Sequence, residues 1–175
     1  MSGAMQATTA DLHDSDPDGT RVVEAQFRAF GQRRRFWGHC VPVRTYESHL
    51  PVLEALRGDG QGKVLVVDGG GSLRIGIMGD RLAEIGVANG WVGVVINGAI
   101  RDSVVIDQLD LGVRALGVTA RRGSATTAPG GPESVGFGGV RFTPDDWIYV
   151  DEDAVIVRSV RLDPAELKPL PGAGY

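Results

Sequence analysis

Apolar positions along this chain gather in short runs separated by polar and glycine-rich breaks. Lys63-Val64-Leu65-Val66-Val67-Asp68 is almost continuously apolar, the pattern of a strand buried on both faces. Trp91 to Asn97 repeats that pattern and predicts a second buried strand, with a turn beginning at Gly98; Val113 to Val118 predicts a third. Between them, Gly79-Asp80 opens a helix predicted over Arg81 to Asn89, and a second helix is predicted over Ser103 to Leu109. Upstream, Val41, Val43 and Thr45 alternate within Phe36 to Tyr46 as a strand requires, and Leu50 to Leu56 reads as a short helix. Thr9-Ala10-Asp11-Leu12 begins with a capping residue and predicts another, while Asp14 to Thr20 carries turn signals. A strand–helix–strand–helix–strand rhythm implies an α/β unit with parallel strands and right-handed crossovers.

The rhythm changes after the third strand. Arg121 to Gly136 is rich in Gly, Ser, Thr and Pro and predicts an exposed loop. Gly139–Phe142, Trp147–Val150 and Ala154–Val157 predict short strands of antiparallel structure, and Pro164 to Lys168 a short helix before a Pro/Gly-rich end. The organisation expected is a flexible segment 1–10, one domain over 11–160 and a tail over 161–175, with no internal repeat.

Composition narrows the functional classes. Hydrophobic residues make up 42% and charged residues 23%, as in an ordinary soluble domain. Gly accounts for 26 of 175 residues, well above the usual frequency of roughly 7%, and implies tight turns and close backbone approaches. A net charge of −4 argues against direct nucleic-acid binding, which needs a clustered basic surface. The single cysteine, Cys40, excludes an internal disulfide and any multi-Cys metal site. No apolar run nears the roughly 20 residues of a membrane span, and no secretory signal is visible, so a cytoplasmic location is expected.

Three turns fall at the same edge of the predicted sheet. Asp68-Gly69-Gly70-Gly71-Ser72 has two open readings, an anion cradle built from backbone N–H groups or a packing turn; it lacks P-loop and dinucleotide spacing. Asp80 is either a helix cap or a carboxylate facing a cleft. Gly98-Ala99-Ile100-Arg101-Asp102 is the sharpest feature. Arg suits bidentate binding of a carboxylate or enolate oxygen, and a neighbouring carboxylate suits Mg²⁺, which prefers hard oxygen ligands and takes few from protein. The competing reading is a surface ion pair or another cap. Arg33-Arg34-Arg35 and Arg121-Arg122 have two readings, a partner-binding or RNA patch and, more commonly, solvated surface; His13, His39 and His49 lack metal-ligand spacing, and Trp37, Trp91 and Trp147 read as core anchors.

Gly79-Asp80-Arg81-Leu82-Ala83-Glu84, Asn89-Gly90-Trp91, Gly98, Arg101-Asp102, Leu109-Asp110 and Leu116-Gly117 together resemble the core signature of the RraA family (regulator of ribonuclease E activity A), which is related to class II pyruvate aldolases. The resemblance extends over most of the chain and implies an α/β/β swivelling fold and a homotrimer with sites near subunit interfaces. Aldolases of this family carry an acidic residue, twenty intervening positions and then Arg-Asp; here Asp80 and Arg101 enclose twenty residues, and Asp102 follows. By that resemblance Asp102 holds a divalent metal, Mg²⁺ foremost. Arg101 binds the pyruvyl oxygen and stabilises the enolate, Asp80 organises a water that handles the proton, and Gly79 with the Arg81 and Leu82 backbone binds the substrate carboxylate. The implied function is a metal-dependent lyase cleaving 4-hydroxy-4-methyl-2-oxoglutarate-like acids and decarboxylating oxaloacetate. The alternative is a non-catalytic regulator that binds and inhibits ribonuclease E. Characterised aldolases differ at the C-terminus, where a longer tail gives an acidic group to a neighbouring subunit; Glu166 is the candidate in this shorter one. A quinone-synthesis methyltransferase, also attached to similar sequences, is disfavoured by the lack of a cofactor-binding glycine motif.

Overall fold

The computed structural model of the chain describes residues 5–126 and 134–167. Within them the elements run α1 (Thr9–Ser15), β1 (Thr20–Val22), β2 (Arg28–Phe30), β3 (Phe36–Arg44), α2 (Leu50–Leu56), β4 (Lys63–Asp68), α3 (Asp80–Ala88), β5 (Gly93–Ile100), α4 (Ser103–Ile106), β6 (Gly112–Val118), β7 (Val135–Phe137), β8 (Val140–Phe142), β9 (Trp147–Val150) and β10 (Val155–Arg158). No helix among the described residues is long and apolar enough to cross a membrane.

Eight strands form one mixed sheet in the order β1-β10-β9-β3-β4-β5-β6-β2. The inner four, β3 to β6, are parallel and lie in sequence order. Crossovers of one hand between sequential neighbours put every connecting helix on the same face. Accordingly Val52 and Leu56 of α2, Ala83 of α3 and Ile106 of α4 share a core with Leu65, Val67, Val94 and Ile96. The alternate residues Val64, Val66 and Val95 point the other way, onto Phe137, Val140 and Phe142 of the β7–β8 hairpin. Helices, mixed sheet and hairpin are the three layers of an α/β/β swivelling fold, with the predicted parallel unit at its centre. The antiparallel portion is split: β9 and β10 extend the main sheet across β3, while β7 and β8 pair with each other.

Several boundaries differ from the sequence expectation. β5 does not turn at Gly98 but runs on to Ile100, with a register shift between Ile96 and Ala99 where it pairs with β6. α4 is one turn long and ends at Ile106; turn-like hydrogen bonds from Gln108 N to Val105 O and from Leu109 N to Ile106 O finish the segment. The loop expected up to Gly136 gives way to β7 at Val135, and its residues 127–133 lie outside the described ones. The helix expected at Pro164 is a turn closed by Glu166 N donating to Asp163 O, and Lys168 lies outside the described residues. β1 and β2 were not anticipated, because three-residue edge strands such as Thr20-Arg21-Val22 are too short and polar to show a period. Within the segment expected to be flexible, Met5 is buried, and Thr9 is buried and donates twice to Asp151, at 2.7 and 2.9 Å.

The high glycine content has a local cause in the sheet. Gly93 and Gly112 are register partners on β5 and β6, and a Cβ at either would overlap the ring of Phe36. The two glycines make a flat floor on which a fully buried aromatic ring lies.

Candidate active site

The carboxyl ends of β3, β4, β5 and β6 open at one edge of the sheet, the usual place for ligands in open α/β folds. A cleft of about 240 Å³ sits there, and Gly79, Asp80, Arg81, Leu82, Arg101 and Asp102 all line it. These six, the residues that the resemblance assigns to substrate and metal, therefore reach one space. His49, Gly76, Ile77 and Arg122 complete the wall.

Backbone hydrogen bonds fix the two key side chains. Ile77 N donates to Ala99 O at 3.0 Å and Arg101 N to Met78 O at 3.0 Å, so the 76–79 segment runs alongside the end of β5. Asp102 then turns the chain into α4 with φ +57° and ψ +37°, a left-handed conformation that costs a side-chain-bearing residue energy. Its carboxylate makes no capping hydrogen bond; instead Arg101 Nε donates to Oδ2 at 3.0 Å. Both side chains stay about one-third exposed, at 32% and 33%. Two glycines make room for them. A Cβ at Gly76 would lie 3.0 Å from Arg101 Cβ, and one at Gly79 would lie 2.7 Å from Asp102 Oδ2.

The start of α3 faces the same cleft. Its N-cap is Gly79, which offers no side-chain acceptor, so Asp80 is the first helical residue and not the cap. Asp80 Oδ1 accepts from the Arg81 N–H at 2.8 Å. The Leu82 N–H has no acceptor among the described residues. Open N–H groups and the helix dipole favour an anion at this end.

Among the described residues, charge in the cleft is unbalanced towards the positive. Three arginines, Arg81, Arg101 and Arg122, line it with two carboxylates, Asp80 and Asp102. Arg101 is paired, whereas no carboxylate among the described residues lies within ion-pairing distance of Arg81 or Arg122. His49 Nδ1 lies 3.1 Å from Gly123 O; a carbonyl only accepts, so Nδ1 carries the hydrogen. The sequence reading set His49 aside for want of ligand spacing and took Arg122 as surface, because the two come from separate loops and follow no local spacing.

The donor set fits a hard, water-rich cation. Among the described residues no group of three potential ligands gathers. Asp102 supplies one carboxylate, whose Oδ2 borders the hollow left by Gly79 and whose Oδ1 has no hydrogen-bond partner among the described residues. One carboxylate plus water is an arrangement Mg²⁺ accepts and Zn²⁺ does not.

Other sequence features fall elsewhere. The N–H groups of Gly69 and Gly71 both donate to Asn97 O, and that of Gly70 to Asp68 Oδ1, so the glycine turn is a packing turn and not an anion cradle. Arg33 and Arg35 are paired with Asp110 and Glu152. Burial pushes the Cys40 thiol well above its ordinary range, so it is no nucleophile. Trp91 is buried and donates to Leu56 O, as a core anchor should. Glu166 is exposed and does not line this cleft.

Residues 9–157 match the family described as RraA-like, aldolase/RraA. The chain belongs to the RraA-like family. A protein of Aromatoleum aromaticum, named as a proposed 4-hydroxy-4-methyl-2-oxoglutarate aldolase, is 46% identical over 87% of this chain and 96% of its own. A solved structure from Geobacillus kaustophilus, described as an S-adenosylmethionine:2-dimethylmenaquinone methyltransferase, superposes with a TM-score of 0.84 at 39% identity, over 89% of this chain and 97% of its own. The RNA-processing inhibitor RraA of Thermus thermophilus also gives 0.84, at 32% identity over 93% and 98%. Three different names on one RraA-like fold leave the choice of function to the chemistry of the site.

Proposed function

We propose that this RraA-like protein is a divalent-metal-dependent lyase that cleaves 4-hydroxy-4-methyl-2-oxoglutarate-like acids and decarboxylates oxaloacetate, both through a pyruvate enolate. The observation that carries the reading is the Arg101–Asp102 pair at the end of β5, facing the uncapped start of α3 across one cleft. The aldolase names of relatives such as the Aromatoleum protein point the same way.

Both reactions break the C3–C4 bond of a 2-oxo acid and leave its electron pair on C3. In the retro-aldol case the C4 hydroxyl loses its proton and C4 becomes a carbonyl. In the decarboxylation C4 departs as CO₂. The resulting enolate carries its charge on the C2 oxygen, and a proton on C3 then gives pyruvate.

The substrate carboxylate lies against the start of α3, accepting from Leu82 N–H and from Arg81 N–H once Asp80 Oδ1 releases it. Both terminal nitrogens of Arg101 lack acceptors among the described residues and donate to the C2 oxygen as charge develops. A preorganised donor of that kind is worth about 10²- to 10³-fold in rate. Asp80, released from Arg81, holds the water that moves the proton. Asp102 holds the cation, Mg²⁺ foremost, which when bound supplies electrostatic stabilisation of the enolate oxygen. Among the described residues no lysine lines the cleft, so imine chemistry finds no residue there to use.

The resemblance also carries a homotrimer into the proposal. Val104, Val105 and Val118 are exposed beside Arg101 and Asp102, an apolar strip that a second copy would cover. A second reading, a regulator that binds and inhibits ribonuclease E, rests on the likeness to the Thermus inhibitor. The discriminating experiment is metal-dependent release of pyruvate from oxaloacetate, set against inhibition of purified ribonuclease E by the same preparation. Turnover without inhibition supports the lyase, and inhibition without turnover the regulator.

A further inference from the structure

The machinery above gives no role to the side chain of Arg122, which also lines the cleft. Its backbone is held from both sides. Gly76 N donates to Arg121 O at 2.9 Å, and Gly76 bridges Arg122 in parallel register. On the other flank, His49 N donates to Ser124 O at 3.1 Å, Ser124 N to Glu47 O at 2.9 Å, and the His49 ring to Gly123 O. The fit is close: a Cβ at Gly123 would lie 3.1 Å from His49 N. Arg122 thus lines the cleft from a pinned segment, is itself exposed, and has no carboxylate among the described residues within ion-pairing distance.

Eight of the sixteen arginines already meet a carboxylate among the described residues: Arg21, Arg33, Arg35, Arg44, Arg74, Arg101, Arg158 and Arg161. A cationic side chain on a fixed backbone, lining a cavity with no ion-pairing carboxylate among the described residues, is an arrangement that an anionic ligand completes. The start of α3 and Arg101 already account for the carboxylate and oxo group of a 2-oxo acid. A second anionic group is left for Arg122.

We propose that Arg122, held by the Gly76 and His49 segments, is the specificity residue that binds the second carboxylate of the substrate and so selects dicarboxylic over monocarboxylic 2-oxo acids. The inference rests on the lyase reading for the orientation of the ligand but concerns binding alone. His49 is a positioning residue here, acting through Gly123.

The test uses two inert probes that differ by one carboxylate, malate and lactate, titrated by calorimetry or NMR into the full-length protein with Mg²⁺. The wild type is expected to prefer malate by about 10- to 100-fold, the worth of a charge-assisted hydrogen bond. Arg122→Ala should erase that preference and leave lactate binding within about two-fold, and Arg122→Lys should restore part of it. His49→Ala should weaken malate more than lactate. A wild type that binds the two acids equally, or an Arg122→Ala protein that keeps the preference, overturns the proposal. Oxaloacetate turnover in the same samples reports separately on the lyase reading: a malate preference lost in Arg122→Ala stands even where turnover is absent.

Discussion

Gly79 and Asp102 approach so closely that a single methyl on residue 79 would lie 2.7 Å from Oδ2 of the carboxylate. The contact joins the start of α3 to the end of β5, the two elements that supply the proposed carboxylate-binding and metal-binding groups. Residue 79 has φ −119°, open to any side chain, so the constraint there is steric and not conformational.

Gly79→Ala is therefore expected to displace the Asp102 carboxylate from Arg101 while leaving the fold intact. Turnover of oxaloacetate should fall by about 10- to 100-fold, the scale of an ångström-sized misplacement. The melting temperature should move little, since Ala in place of a glycine N-cap costs at most about 1 kcal/mol.

Asp102 occupies the left-handed region, where only glycine is free of strain. Asp102→Gly should match or exceed the wild type in unfolding free energy, by up to about 1 kcal/mol, and Asp102→Ala should fall below it by a similar amount. Both should lack turnover. Chemical denaturation of the three proteins checks the order, and an Ala variant as stable as the Gly variant would refute the strain.

The proposed assembly has its own readout. Val104 is 74% exposed at the rim of the hollow beside Asp102. Sedimentation should show a trimer for the wild type and smaller species for Val104→Glu, because a buried unpaired charge opposes association. A wild-type monomer would remove the trimer from the account.

Acid stability should depend on Asp151, far in sequence from the cleft. Burial raises its pKa, but hydrogen bonds from Thr9, Asp153 and Ala154 outweigh burial and hold it below the ordinary carboxylate value. A depressed folded-state pKa gives stability that is complete above the unfolded value of roughly 3.9 and is lost as pH falls through the folded value. Asp151→Asn should be less stable at neutral pH by about 1–3 kcal/mol and lose less on acidification below pH ~4. Urea unfolding from pH 7 down to pH 3 measures both.

Much of the fold was legible because its central strands are buried on both faces and write that burial as unbroken apolar runs, as in Val64–Val67 and Val94–Ile96. The edges were not. Thr20-Arg21-Val22 and Arg28-Ala29-Phe30 become strands only because β10 and β6 offer them hydrogen-bonding partners. Gly98 looked like a turn, yet it continues β5, since an irregularity in pairing absorbs the bend. The cleft was legible where its residues are neighbours in sequence, as Arg101 and Asp102 are. His49 and Arg122 enter it through a ladder between two loops, a long-range pairing that no local pattern encodes.

The most direct test of the central claim is pyruvate release from oxaloacetate by wild type and Asp102→Asn, each with Mg²⁺ and with chelator. Asn keeps the shape of Asp and tolerates the left-handed backbone, so folding is held constant. Turnover above the metal-alone background is expected for the wild type, abolished by chelator and absent in the variant. Wild-type release no faster than the metal background, or an Asp102→Asn protein as active as the wild type, would contradict it.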